Sequence, residues 1–483
     1  MYEGRFILSY KSQGDWISKV DVTGQDVLYY FSDGNNWAYS NSFLKLVEYL
    51  SEKGVVLTSN NAALASFNIQ HSFGDSLTSD NTVVNEVKVL PISDRIRIKS
   101  GNFIIERIKF EENCGLVSDS INVFFNKWMR RIIGILGDSN LYTRCDVSGG
   151  IDSRAVLGLI LKSGGVGSKM SFISNKSWVD DFRIANLLSS IYGFSLNDGR
   201  LFSSKRLASN YEKFLLYCYS SIGVYKPVYF PKYNRHEYQN VHFSGSGGEN
   251  LRLFYNASPI KFIDRFKKYF DDGKHFEDFK HQFLLSCESL DIDINDERGM
   301  MSHYRNFRSR FHFGRNWYKS YTSQVVSPLF STLLNSASDS MALSELSSGD
   351  ILLRVMLMAF PELSQLPYDK HDKGFSEEAF ARCFLDSNRS RQYVGPDDSP
   401  SIFQGDSSIL DESEVELSSK ELKVYLKEIL NVVNLKLLES FGLLECRNKL
   451  ISQIDDVQVS KLYRESFLIV TLYFLDKNNV RFN

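Results

Sequence analysis

Apolar and polar positions along this chain follow two patterns, and the change between them falls near residue 113. Before it, short β-type runs such as DVLYYFSD and NEVKVL alternate with polar turns at Asp33-Gly34 and Lys99-Ser100-Gly101, which predicts a small, mostly β domain over residues 1–112. After it, apolar helical stretches alternate with short strands. VFFNKWMRRIIGIL, SRAVLGLILKSG and DDFRIANLLSSIYG have helical spacing, while LYTRCDV, MSFIS and NVHF read as strands. Strands alternating with helices predict an α/β fold built on a parallel, doubly wound sheet, here assigned to residues 113–483. From about residue 255 the pattern is largely helical, with one polar interruption at 386–408 that suits either a lid over a site or an ordinary surface loop.

One junction between a strand and a helix has an unusual composition. In CDVSGGIDSRA, residues 145–155, the positions from Ser148 to Ser153 hold two glycines, an aspartate and serines at both ends. A turn leaving a parallel strand and entering a helix presents unpaired backbone N–H groups and the positive end of the helix dipole, so it is an anion site by geometry. Gly149 and Gly150 allow close approach, and the Ser148 and Ser153 hydroxyls add donors. Asp152 would repel a phosphate unless it holds a magnesium ion that bridges to it. The plainer account is a helix entry with Ser or Asp capping, which does not need two glycines, an Asp and a second Ser in one turn.

Composition narrows the function classes. Lys and Arg number 56 against 58 Asp and Glu, a formal net charge of -2, so no basic excess points to nucleic acid. The longest apolar runs, such as FLIVTLYFL, are too short to cross a bilayer, and MYEGRFILSYKSQGDW lacks the features of a signal peptide, so a cytoplasmic protein is expected. Six cysteines are scattered without a CxxC pair, against a disulfide framework or a zinc site. No histidines fall in an HxxxH or HExxH pattern; His371 alone sits near the chemistry considered below. Basic clusters in WMRRIIG and RNFRSRFHFGR suit an anionic substrate, including a nucleotide-linked sugar or glycan, although salt bridges on helix faces explain them with fewer assumptions.

The hexapeptide Ser148-Gly149-Gly150-Ile151-Asp152-Ser153 resembles the SGGxDS pyrophosphate loop of the N-type ATP pyrophosphatases, which cleave ATP to AMP and pyrophosphate. Within that group the chain is most similar to the asparagine synthetases, whose relatives include β-lactam synthetase and the lasso-peptide cyclases. SFISN followed by DDFRIANLLSSIYGF, with Asp181 and Ala185, resembles the family's second strand and following helix. FSGSGGENLRLFY, residues 243–255, resembles the second glycine motif SGxGxDExxxGY, and VVSPLFSTLL, GDILLRVM and LPYDKHDKGFS run in the order of the family's helical half. The similarity covers most of residues 113–380, and only the first motif is specific alone.

The resemblance implies an adenine nucleotide α-hydrolase-like fold, ATP as the nucleotide and magnesium as the metal. Ser148, Gly149, Gly150 and Ser153 would hold the β- and γ-phosphates, Asp152 and Glu249 would hold magnesium, and Val147, Ile173 and Gly245 would line the adenosine. A lysine stabilising the transferring groups falls on Lys373, with Lys370 as a rival. The implied reaction is adenylation of a substrate carboxylate with release of pyrophosphate, followed by attack of an amine and release of AMP.

Two departures qualify this. The family's glutamate in the second glycine motif is Ser246 here, at the position near the acceptor, which argues against free aspartate as substrate. Glutamine-dependent members carry a nucleophilic cysteine after the initiator Met, where this chain has Tyr2, and its first cysteine is Cys114. Residues 27–50 and 87–101 resemble the later half of that amidotransferase domain, so a shortened, structural remnant is expected, with nitrogen arriving as an amine, an amino acid or ammonia. The alternative to a ligase is a catalytically silent relative that binds or scaffolds.

Overall fold

Burial alternates along DWISKV and DRIRIK, as expected of strands with one face on a core. In the computed structural model, which describes residues 3–108, 116–167, 170–198, 209–227, 239–270, 273–311, 323–370, 373–387 and 421–482, these segments belong to an antiparallel sheet. Its strands are β1 (Ile7–Ser12), β2 (Asp15–Val20), β6 (Asp94–Lys99) and β7 (Asn102–Arg107), in the order β1-β2-β6-β7. A second antiparallel sheet has the order β4-β3-β5, from β3 (Tyr29–Ser32), β4 (Trp37–Ser40) and β5 (Lys88–Val89). The expected turn at residues 99–101 joins β6 to β7, with Ser100 and Gly101 both at positive φ, the backbone a two-residue hairpin loop requires. Tyr2, Cys114, His371 and residues 388–408 of the expected lid lie outside the described residues.

Helix α1 (Phe43–Glu52) buries Phe43, Leu44, Leu46, Val47 and Leu50 along one stripe, and the short α2 (Asn61–Ser66) follows it. The core under α1 is not closed by its sequence neighbours. Tyr29, Phe31, Phe43 and Val47 share it with Leu426 and Leu430 of helix Leu422–Val432 and with Phe467, Val470 and Leu475 of helix Phe467–Lys477. Backbone bonds reinforce the union: Ser59 N–H donates to the Arg481 carbonyl at 2.8 Å, and Arg481 N–H to that of Leu57 at 2.9 Å. Packing therefore joins segments that lie far apart in the chain.

The other sheet is parallel. Helix α3 (Val117–Gly137) leads into β8 (Tyr142–Asp146), α4 (Ile151–Lys162), β9 (Ser171–Ile173), α5 (Val179–Tyr192), β10 (Asn240–Phe243) and β11 (Gln324–Val326), in the order β11-β10-β8-β9. Successive strands run from β8 outward to β9, then resume on the other side of β8 with β10 and β11, so the order reverses between β8 and β10. The strand β11 falls where the sequence pattern predicted helix. Three residues are too few to carry a period, and QVV becomes a strand because β10 pairs with it. Helix α4 is buried continuously from Ser153 to Ile160, as suits a helix enclosed on every side. Among the described residues no helix is long and apolar enough to cross a membrane.

Candidate functional site

The first glycine turn begins where β8 ends. Val147 is buried and its N–H donates to the Ile173 carbonyl at 2.8 Å, tying the turn to the end of β9. The chain then passes through Ser148, Gly149 and Gly150 into α4, with no side chain capping the helix. Ser148 Oγ accepts from the Gly150 N–H at 3.2 Å and lies 2.7 Å from Ser153 Oγ, so the two hydroxyls bracket the turn from inside. The Gly149 N–H donates to Asp181 Oδ1, in the first turn of α5, at 2.8 Å. A carboxylate thus already engages the nest, as an anion should.

The missing side chain of Gly149 has a specific cause. A Cβ there would lie 2.6 Å from Asp369 Cβ, and the Asp369 N–H donates to the Gly149 carbonyl at 3.3 Å. The space expected to admit a ligand at Gly149 is filled on that side by Asp369. Asp369 Oδ2 lies 2.6 Å from Lys373 Nζ, which brings Lys373 to the rim of the first turn. Lys370 is exposed, and its carbonyl accepts from the Lys373 N–H at 3.2 Å.

The second glycine turn follows β10, the strand beside β8, and packs against the first. A Cβ on Gly245 would lie 2.6 Å from the Ser153 backbone nitrogen, and one on Gly248 would overlap Asp152 Oδ1. Glycine at both places lets the turns interlock. Ser246 Oγ sits 2.9 Å from Ser244 Oγ, and Glu249 is buried in the short turn Gly248–Leu251. From behind, Arg305 donates to the Asn250 carbonyl through Nε at 2.9 Å and Nη2 at 2.7 Å, and its Nη1 lies 2.6 Å from Asp339 Oδ1. Nearby, Arg310 Nη1 donates to the Leu90 carbonyl at 3.1 Å. These two arginines of the basic cluster are buried in structural bonds, and the reading that it receives an anionic substrate does not hold for them.

The structure brings Val147, Ser148, Gly149, Gly150, Asp152, Ser153, Gly245, Glu249 and Lys373 to one place, with Ile173 bonded at the edge. Sequence reasoning missed three participants. Asp369 stands four residues before Lys373. His242 Nε2 lies 2.8 Å from Asp146 Oδ1 across the ends of β10 and β8. Arg252 Nη2 lies 2.9 Å from Asp152 Oδ2. The field of Asp152, and after it Glu249, holds the Arg252 guanidinium above the usual arginine range against the opposing effect of burial. The signal for Arg252 was available as a lone charge in the apolar run LRLFY.

Magnesium was expected on Asp152 and Glu249. Asp152 is already held by a guanidinium at hydrogen-bond distance, and a divalent ion on the same oxygen would face that positive charge directly. Among the described residues no group of three or more His, Cys, Asp or Glu side chains is arranged to hold a metal ion. The residues present do not fit magnesium with Arg252 in this position. Elsewhere, a polar cleft of about 340 Å³ between α2 and helix Gly273–Glu288, lined by Asn60, Asn85, Lys274 and Asp278 among others, contains none of these loop residues.

No family model matches the chain, and no curated protein matches it significantly.

Proposed function

We propose that this chain is an ATP-dependent, AMP-forming carbon–nitrogen ligase of the asparagine synthetase-like kind. The observation that carries the reading is the interlocking of two glycine turns at the carboxyl ends of neighbouring parallel strands, β8 and β10, where the strand order reverses. Open parallel sheets bind ligands in that crevice. The reversal supports a doubly wound, adenine nucleotide α-hydrolase-like sheet, and the amides at the start of α4 suit a phosphate group.

In this reading Ser148, Gly149, Gly150 and Ser153 receive the β- and γ-phosphates, and Asp181 yields the Gly149 N–H to them. Val147, Ile173 and Gly245 line the adenosine. A substrate carboxylate attacks the α-phosphorus, forming an acyl-adenylate and expelling pyrophosphate into the first turn, whose donors face the developing charge. An amine or ammonia then attacks the activated carbonyl and AMP leaves, so an amide forms. Both lysines are exposed, and Lys373 is the better candidate for the charge-stabilising lysine because its Nζ pairs with Asp369, which packs on Gly149. Ser246 lies at the acceptor side. The acid is a small-molecule or glycan carboxylate, and the amino-terminal region supplies support rather than glutamine hydrolysis.

A second reading, a catalytically silent relative, is favoured by the Asp152–Arg252 pair. The two are separated by following pyrophosphate and AMP release from ATP with a panel of carboxylic acids and amines, ammonium included. Pyrophosphate release dependent on the acid and AMP release dependent on both acid and amine, each lost in Lys373→Met, support the ligase. Nucleotide binding without pyrophosphate release under any combination supports the silent relative.

A further inference from the structure

We propose that the Arg252 guanidinium stands in the place of a divalent cation at this site, so that the loops take their polyphosphate as the free anion rather than as its magnesium complex. The inference rests on the nucleotide reading above and concerns the form in which the nucleotide binds.

Three observations converge on Arg252, and a fourth concerns the opposite rim. Its Nη2 lies 2.9 Å from Asp152 Oδ2, a charge-assisted bond of ordinary length. The other oxygen of the same carboxylate is packed against Gly248 so closely that no side chain fits between them, which holds the carboxylate toward the second turn. Glu249, the other acid of the expected metal pair, also acts on the guanidinium, and the next residue is the amide Asn250, which supplies no further negative charge. On the opposite rim, Asp369 has its own cation in Lys373 at 2.6 Å. Two of the acids around the first turn are therefore neutralised by fixed side chains.

The chemistry of the substitution is direct. Magnesium binds such sites through one or two carboxylates and the phosphate oxygens, and its role there is to cancel charge between them. A guanidinium does this without a metal. It stays protonated, its planar donors match phosphate oxygens, and the bond to Asp152 uses only one of its nitrogens. Adding magnesium would place a second cation against the same carboxylate, and capturing the ion in solution would withdraw the free triphosphate.

The test is calorimetric titration of the full-length protein with ATP, once in EDTA and once in excess magnesium. Binding in EDTA is expected to be as tight as in magnesium or tighter, and Arg252→Met is expected to reverse this, losing about tenfold or more in EDTA and recovering with magnesium. Wild-type binding that appears only with magnesium overturns the inference and leaves the nucleotide reading standing. An Arg252→Met protein with undiminished affinity in EDTA also overturns it. Absence of binding in both buffers overturns the inference and the nucleotide reading together. Should the variant fail to fold, the two wild-type titrations decide alone.

Discussion

The Arg154 guanidinium lies 3.7 Å from the centre of the Tyr368 ring, and its nitrogens donate to the carbonyls of Leu363, Leu366 and Pro367 at 3.0, 2.7 and 2.6 Å. One buried side chain of α4 thus holds the segment that carries Asp369 and Lys373. Arg154→Leu leaves those carbonyls without their donor and removes the stacked cation, a loss of about 2–4 kcal/mol in urea denaturation. If the stability is unchanged, Arg154 does not organise this segment.

Asp181 competes for the amide that a phosphate needs. Asp181→Ala removes both the competing acceptor and a negative charge, so nucleotide affinity rises about fivefold, which is about 1 kcal/mol. Titration calorimetry reads this directly. Weaker binding in the variant would mean that Asp181 contributes to the nucleotide site instead of blocking it.

Gly149→Val places side-chain carbon where Asp369 already packs. Asp369 must move away, at a cost of about 1–3 kcal/mol, and the Lys373 paired with it moves as well. Pyrophosphate release is expected to fall more than overall stability does, since the fold can yield at this rim. An active Gly149→Val protein would show that the contact between the turn and Asp369 has no part in the reaction.

His303 is fully buried between Phe283 and Phe307, and burial depresses its pKa to about 3. An unfolded histidine titrates near 6.5, so between those values the unfolded chain holds a proton that the native protein does not. Stability from this group is complete above about pH 6.5 and declines as pH falls toward 3. His303→Leu lacks this loss, so from about pH 6 to pH 5 its stability relative to wild type rises by about 1.2 kcal/mol. Denaturation curves for both proteins at the two pH values check the difference; a constant gap excludes His303 as its source.

Residues 3–108 share their core with helices beyond residue 421, so a fragment ending at 108 exposes Tyr29, Phe31, Phe43 and Val47. The fragment is expected to lack a cooperative thermal transition, and adding residues 421–482 in trans is expected to restore some protection in hydrogen exchange. A fragment that melts sharply alone would show that β1 to β7 form a self-sufficient unit.

What could be read in the sequence depended on how far each cause reaches along the chain. The strand, turn and helix around Ser148–Ser153 were legible because a period and a glycine pair lie within a dozen residues, and the turn at Ser100-Gly101 likewise. The strand β11 was not, because only its partner β10 defines it. The role of Gly149 was legible as a need for space, but not that Asp369 fills it, since that contact spans more than two hundred residues. Arg252 belongs to the same class: its residue type was visible, but its ion pair with Asp152 required the two turns to be folded against each other.

The bonds between Ser59, Leu57 and Arg481 bear on how this protein is made. During translation the amino-terminal sheets leave the ribosome long before the helices beyond residue 421 that share their core. Their apolar face waits uncovered until the segment through Arg481 emerges, and the interval is one in which chaperones or other nascent chains have access to it. Slower elongation would lengthen that exposure, so yield in a heterologous host should rise with holdase supply.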